Sequence, residues 1–295
     1  MHKTLSFGEI LWDIFPDYKK PGGSPANLAY HLHSLGHESN LVSQVGNDII
    51  GKELVTFLRN KGLPVQFIQK NVKFDTGKVT VIFNQGEPSY EIHEPSAWDF
   101  IRLTDNLEKK ASEVDAVCFA SLAQRHQKSK DTLQNLLALT KPDCLKVFDL
   151  NLRPPYTDRE TISESIETAD VVKFNEDELK MVSEWYGTND LPSHLIKTHP
   201  GKIILLTLGG DGSKVFKKSG SFKHKAFPIS GDGDFVGVGD AFLACFTHLT
   251  LHSEPDETIL KKANKYAAYV ASHQGGMPPI PSELTQKINT QNKLQ

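Results

Sequence analysis

The chain has 295 residues, 38% of them hydrophobic, enough for one large α/β domain with its own core. Its net charge is −3, acids and bases are mixed along the chain, and no basic run interleaves with aromatics, so no nucleic-acid partner is expected. Cys118, Cys144 and Cys245 are odd in number and far apart, which argues against a disulfide framework or a zinc site and for a reducing compartment. Cys118 and Cys245 lie in apolar runs and read as small core residues.

The first stretch, "MHKTLSFGEILWDIFPDYKK", has no long apolar segment and carries acids early, so no signal peptide is expected. No apolar run approaches the roughly 20 residues of a membrane span. A cytoplasmic protein with no membrane partner is the expectation. "TLSFGEIL" reads as a strand, and residues Leu11 to Lys20 look extended. "SPANLAYHLHSLG" reads as a helix, with Ser24 a candidate N-cap, Pro25 suited to the first helical position and Gly36 the stop. "SNLVSQVG" is the next strand. It runs into "VGNDIIGKEL", which misses a phosphate-binding loop by one residue: Gly46, Gly51 and Lys52 fit, but Glu53 stands where a hydroxyl should hold the metal.

Residues Thr76 to Phe100 contain two strand-like pieces and no helix. Together with Leu11 to Lys20 they read as a small β-structure projecting from the main sheet, a lid or an oligomer surface; an ordinary edge hairpin fits the pattern equally well. Beyond it, the strands "AVCFAS", "LKVFDL", "VVKF" and "KIILLTLG" alternate with helical segments such as Ser129 to Leu139. The alternation predicts a doubly wound, mostly parallel α/β sheet in one domain over residues 1–295, with lid segments at about 11–20 and 76–100. "GSKVFKKSGSFKHKAF" reads as a hairpin. Helices are expected from Gly237 to Leu251 and from Asp256 to His273, and the polar tail after Pro281 is expected to fray.

Ligands of open parallel sheets sit at the carboxyl ends of the strands, so the residues after each strand are the candidates. In "GDFVGVGDAFLACFTHL", Gly237 and Gly239 open a helix and leave backbone N–H groups facing outward at the positive end of the helix dipole. That is an anion hole, with Asp240 inside it; a tight turn and a dipole-stabilising acid are the plainer readings. "FDLNLRP" ends a strand with Asp149, Asn151 and Arg153 at alternate positions, which period two puts on one face as a polar stripe; a solvated strand end is the plainer reading. "VVKFNEDEL" puts Asn175 and Glu178 three apart, which suits a hydrated magnesium ion or a capping box. "LLTLGGDGS" ends with Thr207 and a glycine-rich turn, fit for backbone against a base or phosphates, or for a hairpin. In "GGSPANLA", Asn27 in a first helical turn, together with Asp13 after the first strand, can grip the hydroxyls of a polyol; capping and turn formation explain each residue singly.

Taken together, these blocks resemble the ribokinase/PfkB-type sugar kinase family, and within it the fructokinases, over about Leu5 to Pro281. "GGSPANLA" looks like the family's N-terminal signature and "DFVGVGDAF" like its C-terminal one. "FDLNLRP", "KFNEDEL" and "LLTLGGDGS" match its intervening blocks in order. "VGNDIIGKEL" then matches the family's G-x-D-x-x-G block through Gly46, Asp48 and Gly51, a structural turn near the sugar side. The resemblance implies a ribokinase-like fold and an ATP-dependent, magnesium-requiring kinase acting on a small sugar, D-fructose first.

The same resemblance implies roles. Asp240 is the general base, and the amides of Gly237, Val238 and Gly239 stabilise the transferring phosphoryl group. Asp13, Gly22, Gly23 and Asn27 hold the sugar, with Asp99 of the lid adding a further contact. Asn175 and Glu178 organise magnesium and phosphate, Glu178 through water. Thr207, Gly209, Gly212 and Asn264 line the nucleotide, and Arg153 faces the phosphate side. Asp234 resembles a monovalent-cation ligand, so potassium is an expected option. Such lids pair between subunits, which implies a homodimer with Tyr90, Ile92 and Trp98 in the contact.

Three departures stand out. Phe235 and Val236 replace the usual threonines, Val238 replaces alanine, and "EPSAWDF" only loosely follows the fructokinase "PSAD" stretch. A 2-keto-3-deoxygluconate kinase or ribokinase is the alternative within the class, and a non-catalytic sugar- or nucleotide-binding regulator the alternative outside it. A dinucleotide-binding oxidoreductase is disfavoured, because "FGEILWD" lacks G-x-G-x-x-G.

Overall fold

The computed structural model describes residues 1–84 and 87–290. The elements in chain order are β1 (Lys3–Phe7), β2 (Leu11–Ile14), β3 (Lys19–Gly22), α1 (Ser24–Ser34), β4 (Glu38–Gly46), α2 (Ile49–Asn60), β5 (Ile68–Asn71), β6 (Gly77–Asn84) and β7 (Glu87–Ile92). Then come α3 (Asp105–Ala111), β8 (Ala116–Ala120), α4 (Gln127–Ala138), β9 (Leu145–Asp149), α5 (Arg159–Thr168), β10 (Val171–Phe174), α6 (Glu176–Tyr186) and α7 (Leu191–Thr198). The chain continues with β11 (Ile203–Thr207), β12 (Ser213–Lys217), β13 (Gly220–His224), α8 (Val238–Leu251), α9 (Asp256–Ala271) and α10 (Ser282–Asn289). Among the described residues no helix is long and apolar enough to cross a membrane.

Nine strands form one sheet in the order β13-β12-β11-β10-β9-β8-β1-β4-β5. From β11 to β5 the pairings are parallel; β12 and β13 add an antiparallel edge. The inner strands are buried on both faces, as helix-covered parallel strands must be. Val117 and Phe119 of β8 and Val172 and Phe174 of β10 face a core built with α4, α6 and α7. Cys118 and Val171 face the opposite core, built with α1, α8 and α9. All three cysteines are buried. Helix α8 is apolar on nearly every side because α1 and α9 both pack against it.

The two segments expected to project pair with each other. They form a second sheet of four strands in the order β3-β2-β6-β7, with β2 parallel to β6. Residues 85 and 86 of the expected lid segment lie outside the described residues. The end of that segment is not lid: Ala97–Phe100 is a 3-10 turn, and Trp98 in it is fully buried. Trp98 therefore cannot lie in a subunit contact.

Three further expectations are corrected. The expected N-cap, Ser24, is the first residue of α1, and Gly23, with φ +114°, is the cap. Only a residue without Cβ fits there, since a Cβ would stand 2.5 Å from the Glu9 carbonyl oxygen. Strand β9 stops at Asp149, and Asn151 turns the chain at φ +40°. Asp149, Asn151 and Arg153 therefore do not share a strand face. The tail after Pro281 forms α10, seated by the buried Ile288 and by Lys262, whose Nζ donates to the carbonyls of Ile288 and Thr290. Residues 291–295 of that tail lie outside the described residues.

Candidate active site

Helix α8 is capped at its start by Gly237, whose φ is +71° and whose place a Cβ could not occupy without meeting Gly276 Cα at 2.6 Å. The first-turn amides that follow, at Val238, Gly239 and Asp240, have no carbonyl partner within the helix and gather its positive dipole end. Asp240 sits in this turn, buried. Ser24 Oγ donates to its Oδ1 at 2.6 Å and Asn27 Nδ2 to its Oδ2 at 2.8 Å. The start of α1 thus holds the carboxylate at the start of α8. Ser24 is spent on Asp240 rather than on capping. Asn27, expected on the sugar, uses its amide nitrogen the same way, and its Oδ1 has no hydrogen-bond partner among the described residues. Burial raises the pKa of Asp240, the charge of Asp149 adds to it, and Ser24, Asn27 and Lys173 oppose the rise.

Beneath this turn, Lys173 and Asp149 stand directly opposite each other on β10 and β9. Val147 and Val171 face the α8 side of the sheet, and alternation puts Asp149 and Lys173 there too. Their ion pair spans 2.7 Å and is nearly inaccessible. A Cβ on Gly239 would lie 3.6 Å from Lys173 Nζ. Burial opposes the Lys173 charge, but Asp149, Glu178 and Asp240 together raise its pKa above the ordinary lysine value.

Glu178 and Asn175 close a complete capping box on α6. Glu178 Oε2 accepts from Asn175 N at 2.8 Å, and its Oε1 accepts from Leu152 N at 3.0 Å. Burial and Asp149 raise its pKa. Both oxygens are occupied by backbone amides, so a metal at Glu178 would be held across water. Three buried carboxylates around one ammonium leave negative charge unmatched. That donor set fits magnesium, which keeps several waters and uses one or two carboxylates with substrate phosphates.

A cleft of about 810 Å³ opens beside the α8 turn, lined by Asn175, Thr207, Gly209, Gly212, Asn264, Val238 and Gly239, among others. All four residues expected to line a nucleotide are on its wall. The β11–β12 connection is a hairpin turn and a cleft wall at once. Gly212, at φ +93°, lies so close to the His224 carbonyl that no Cβ fits. The Asn264 amide nitrogen is bound to Ser213 Oγ and the Leu260 carbonyl, so this residue shapes the wall. Phe235 and Val238 also line the cleft, and Phe235 stays 63% exposed, an uncovered ring at its mouth.

On the other side of Asp240 lies the small sheet. Asp13 of β2 is half-buried, and its Oδ2 lies 2.5 Å from where a Cβ on Gly22 would be, so a side chain there would have to displace this carboxylate. Burial pushes the Asp13 pKa up to about 6, against the pull of Arg153 and Lys20. Arg153 is exposed. Glu9, just past β1, is fully buried and raised to about 7 by burial, with Arg153, Asp240 and Arg125 all within electrostatic reach. Asp99 is not available to a substrate. Arg125 holds its two oxygens at 2.7 and 2.8 Å while stacking on Trp98, and Ser96 N takes Oδ2 as well.

Asp234, the expected cation ligand, pairs with the ammonium of Lys20 on β3 at 2.9 Å and accepts the amides of Gly275 and Val236. Burial would raise its pKa, but these partners hold it below the usual value. The Lys20 ammonium stands on one Asp234 oxygen, so a monovalent cation there would displace it or bind beside it. In the near-phosphate loop, Asp48 caps α2 through Gly51 N and accepts from Thr76 Oγ1 and N. Lys52 is exposed and Glu53 pairs with Lys19. This block joins α2 to the base of the lid.

Glu9, Lys173 and Arg125 escaped the sequence reading. Lys173 carried a signal, a lone charge in the apolar run "VVKF" at the centre of a buried sheet. Glu9 carried a weaker one, an acid at the carboxyl end of the first strand. Arg125 carried none.

Comparison with known proteins places the chain among phosphotransferases. The family profile of pfkB family carbohydrate kinases matches residues 17–283. A Pyrococcus horikoshii protein described as a sugar kinase is 30% identical over 256 residues, 81% of this chain and 79% of its own. A Vibrio alginolyticus fructokinase is 28% identical over 306 residues, 96% of this chain and 97% of its own. The crystal structure of a Xylella fastidiosa fructokinase with bound ATP superposes with a TM-score of 0.86 at 20% identity, covering 98% of both chains, a likeness of fold.

Proposed function

The chain belongs to the pfkB family of carbohydrate kinases, and from that premise we propose that it transfers the γ-phosphoryl group of ATP to the terminal hydroxyl of free D-fructose. The observation that carries this reading is the place of Asp240: a buried carboxylate, fixed through both oxygens, between the cleft and the small sheet. The sugar lies under β2 and β3 with Asp13 on its hydroxyls. The nucleotide lies along Thr207, Gly209 and Gly212. As the sugar oxygen attacks the γ-phosphorus, its proton passes to Asp240, the bond to the β-phosphate oxygen breaks and ADP leaves. The amides of the α8 first turn meet the charge on the transferring group, and Lys173 adds a fixed positive charge beside them. Glu178 and Asn175 would hold a magnesium ion across water, and that ion would supply further charge neutralisation to the phosphates.

Fructose is first choice because the blocks look closest to fructokinases and because Asp13 offers a fixed acceptor. A second reading, 2-keto-3-deoxygluconate, is favoured by Arg153, an exposed guanidinium near Asp13 suited to a substrate carboxylate. The test is ADP release across fructose, ribose, glucose, tagatose and 2-keto-3-deoxygluconate. Fructose is expected to exceed glucose and ribose in kcat/KM by more than about tenfold, since sites that bind hydroxyls penalise analogues that leave polar groups unpaired. A better rate with ribose or the keto acid overturns the fructose assignment and leaves the kinase. Sugar binding with no ADP release from any of them favours a non-catalytic regulator.

A homodimer through the small sheet is the accompanying proposal. The four strands of that sheet already support one another, so its stability does not require partner strands. What supports it is Tyr90, 65% exposed on β7. Light scattering that gives a monomer at micromolar concentration counts against it.

A further inference from the structure

Helix α8 carries Asp240 in its first turn and His248 in its last, and His252 caps its carboxyl end. His248 and His252 are one turn apart, and His37, in the link from α1 to β4, joins them. At 1.5 Å rise per residue His248 lies about 12 Å along the axis from Asp240. This group is at the amino ends of the parallel strands, away from the cleft described above.

One ligating atom from each of His37, His248 and His252 lies within 4.8 Å of the other two. His37 Nε2 and His248 Nδ1 face each other at 2.8 Å. His252 Nδ1 meets the His248 carbonyl at 2.7 Å. That carbonyl fixes the His252 tautomer with Nε2 free, the orienting bond that metal-binding imidazoles commonly make. His37 and His248 are buried and His252 is exposed. Burial keeps the first two rings neutral, with pKa values lowered to about 4 and about 3; the neutral ring is the ligating form. The three histidines line a cavity of about 320 Å³, together with Met1, Glu254 and Asn289. A fourth imidazole, His2, lies edge-on to His252 at 5.0 Å between ring centres, with its Nδ1 3.4 Å from Asp115.

We propose that His37, His248 and His252 form a binding site for a divalent transition ion of the zinc class, with a fourth position open to Glu254 or water. Imidazole donors without thiolates suit zinc, nickel, copper and cobalt and disfavour magnesium and calcium. Zinc–nitrogen bonds of 2.0–2.1 Å in a tetrahedron set nitrogens about 3.3 Å apart. The His37–His248 separation opens by about half an ångström to reach that value, and the His252 ring, at an exposed helix end, swings inward. The proton between the two buried rings moves to His37 Nδ1, and the weak 3.3 Å contact from His2 N to that atom gives way. Bound metal would clamp the end of α8 to the segment ahead of β4, stabilising the folded chain by mass action.

The experiment is calorimetric titration of tag-free protein with zinc chloride, without ATP or sugar, paired with cobalt titration read by visible absorption and with thermal melts. The wild type is expected to bind one zinc per chain, to give a tetrahedral cobalt spectrum and to melt higher with zinc. His252→Ala, at an exposed position that leaves the core intact, is expected to weaken zinc binding by at least about tenfold and to abolish the melting shift. Asp240→Asn is expected to leave zinc binding unchanged, and any weaker event at the active-site carboxylates persists in His252→Ala. Absence of saturable one-to-one binding, or equal binding by wild type and His252→Ala, overturns the proposal.

Discussion

Ser24 and Asp240 lie 216 positions apart in the chain and share a 2.6 Å hydrogen bond at the point where two helices begin. The bond, with its companion from Asn27, fixes the carboxylate from the α1 side while the α8 turn presents its amides. Loss of the carboxylate charge therefore removes the base without opening a cavity. Asp240→Asn is expected to lower kcat by about 100- to 10,000-fold while sugar affinity, measured calorimetrically, persists. Near-normal turnover would remove Asp240 from this role.

Lys173 is one of three groups that oppose the rise in the Asp240 pKa. Burial and Asp149 raise the Asp240 pKa and Lys173 lowers it. The base works deprotonated, so kcat/KM falls as pH drops through that raised value. Lys173→Met takes away the ammonium, and the acid limb is expected to move to higher pH, with a lower rate at any fixed pH on the limb. The profile of kcat/KM against pH decides it, with near-ultraviolet circular dichroism confirming the fold. An unmoved limb assigns Lys173 to structure alone.

Glu9 makes stability depend on pH in the opposite sense to most carboxylates. Its folded pKa rises from an ordinary 4.5 to about 7. The folded state then binds the proton more tightly than the unfolded chain. Its contribution is complete below 4.5 and is lost as pH climbs through 7. The full span is on the order of 3 kcal/mol. Glu9→Gln keeps the shape without the charge, so its stability relative to wild type should grow from pH 5 to pH 8. Urea unfolding at both pH values measures this; an equal difference at the two would refute it.

Lys52→Ala is expected to leave the KM for ATP within a few-fold of wild type. Lys52 is exposed on α2 and is absent from the cleft wall, and Asp48 of the same block is occupied with capping. Steady-state kinetics with ATP varied at saturating sugar is the measurement. A large rise in KM with the fold intact would return this loop to phosphate binding.

Potassium is expected to be dispensable. The Asp234 carboxylate already meets Lys20. Rates in potassium chloride and choline chloride at equal ionic strength should agree, and Lys20→Met is the variant expected to acquire a difference. Strong potassium activation of the wild type would show that the ammonium yields its place.

Much of this was legible in the sequence because alternation and glycine placement are local signals. The parallel strands read from apolar runs bounded by turns, and Gly237 and Gly239 marked the α8 turn. Thr207, Gly209 and Gly212 pointed to one cleft wall from three neighbouring positions. What failed was whatever depends on partners distant in the chain. Ser24 looks like a cap because caps are local, yet its hydroxyl is claimed from 216 residues away. Asp99 looked free because Arg125, which holds it, gives no periodic signal. Asn151 broke the expected stripe because an asparagine tolerates a left-handed backbone and lets the chain leave the strand. The tail hid a helix because Leu284 and Ile288 form only one apolar pair, too short a stripe to announce itself.

The bond from Lys20 to Asp234 ties the covering sheet to the loop that feeds α8, and Lys20 reaches Gln274 as well. Its lysine is about one-third accessible, so dissolved salt weakens the tie. A cover that lifts admits water, which is itself an acceptor for a phosphoryl group. The bond thus bears on economy as much as on speed: as ionic strength rises, a growing share of the ATP consumed should end as inorganic phosphate instead of sugar phosphate.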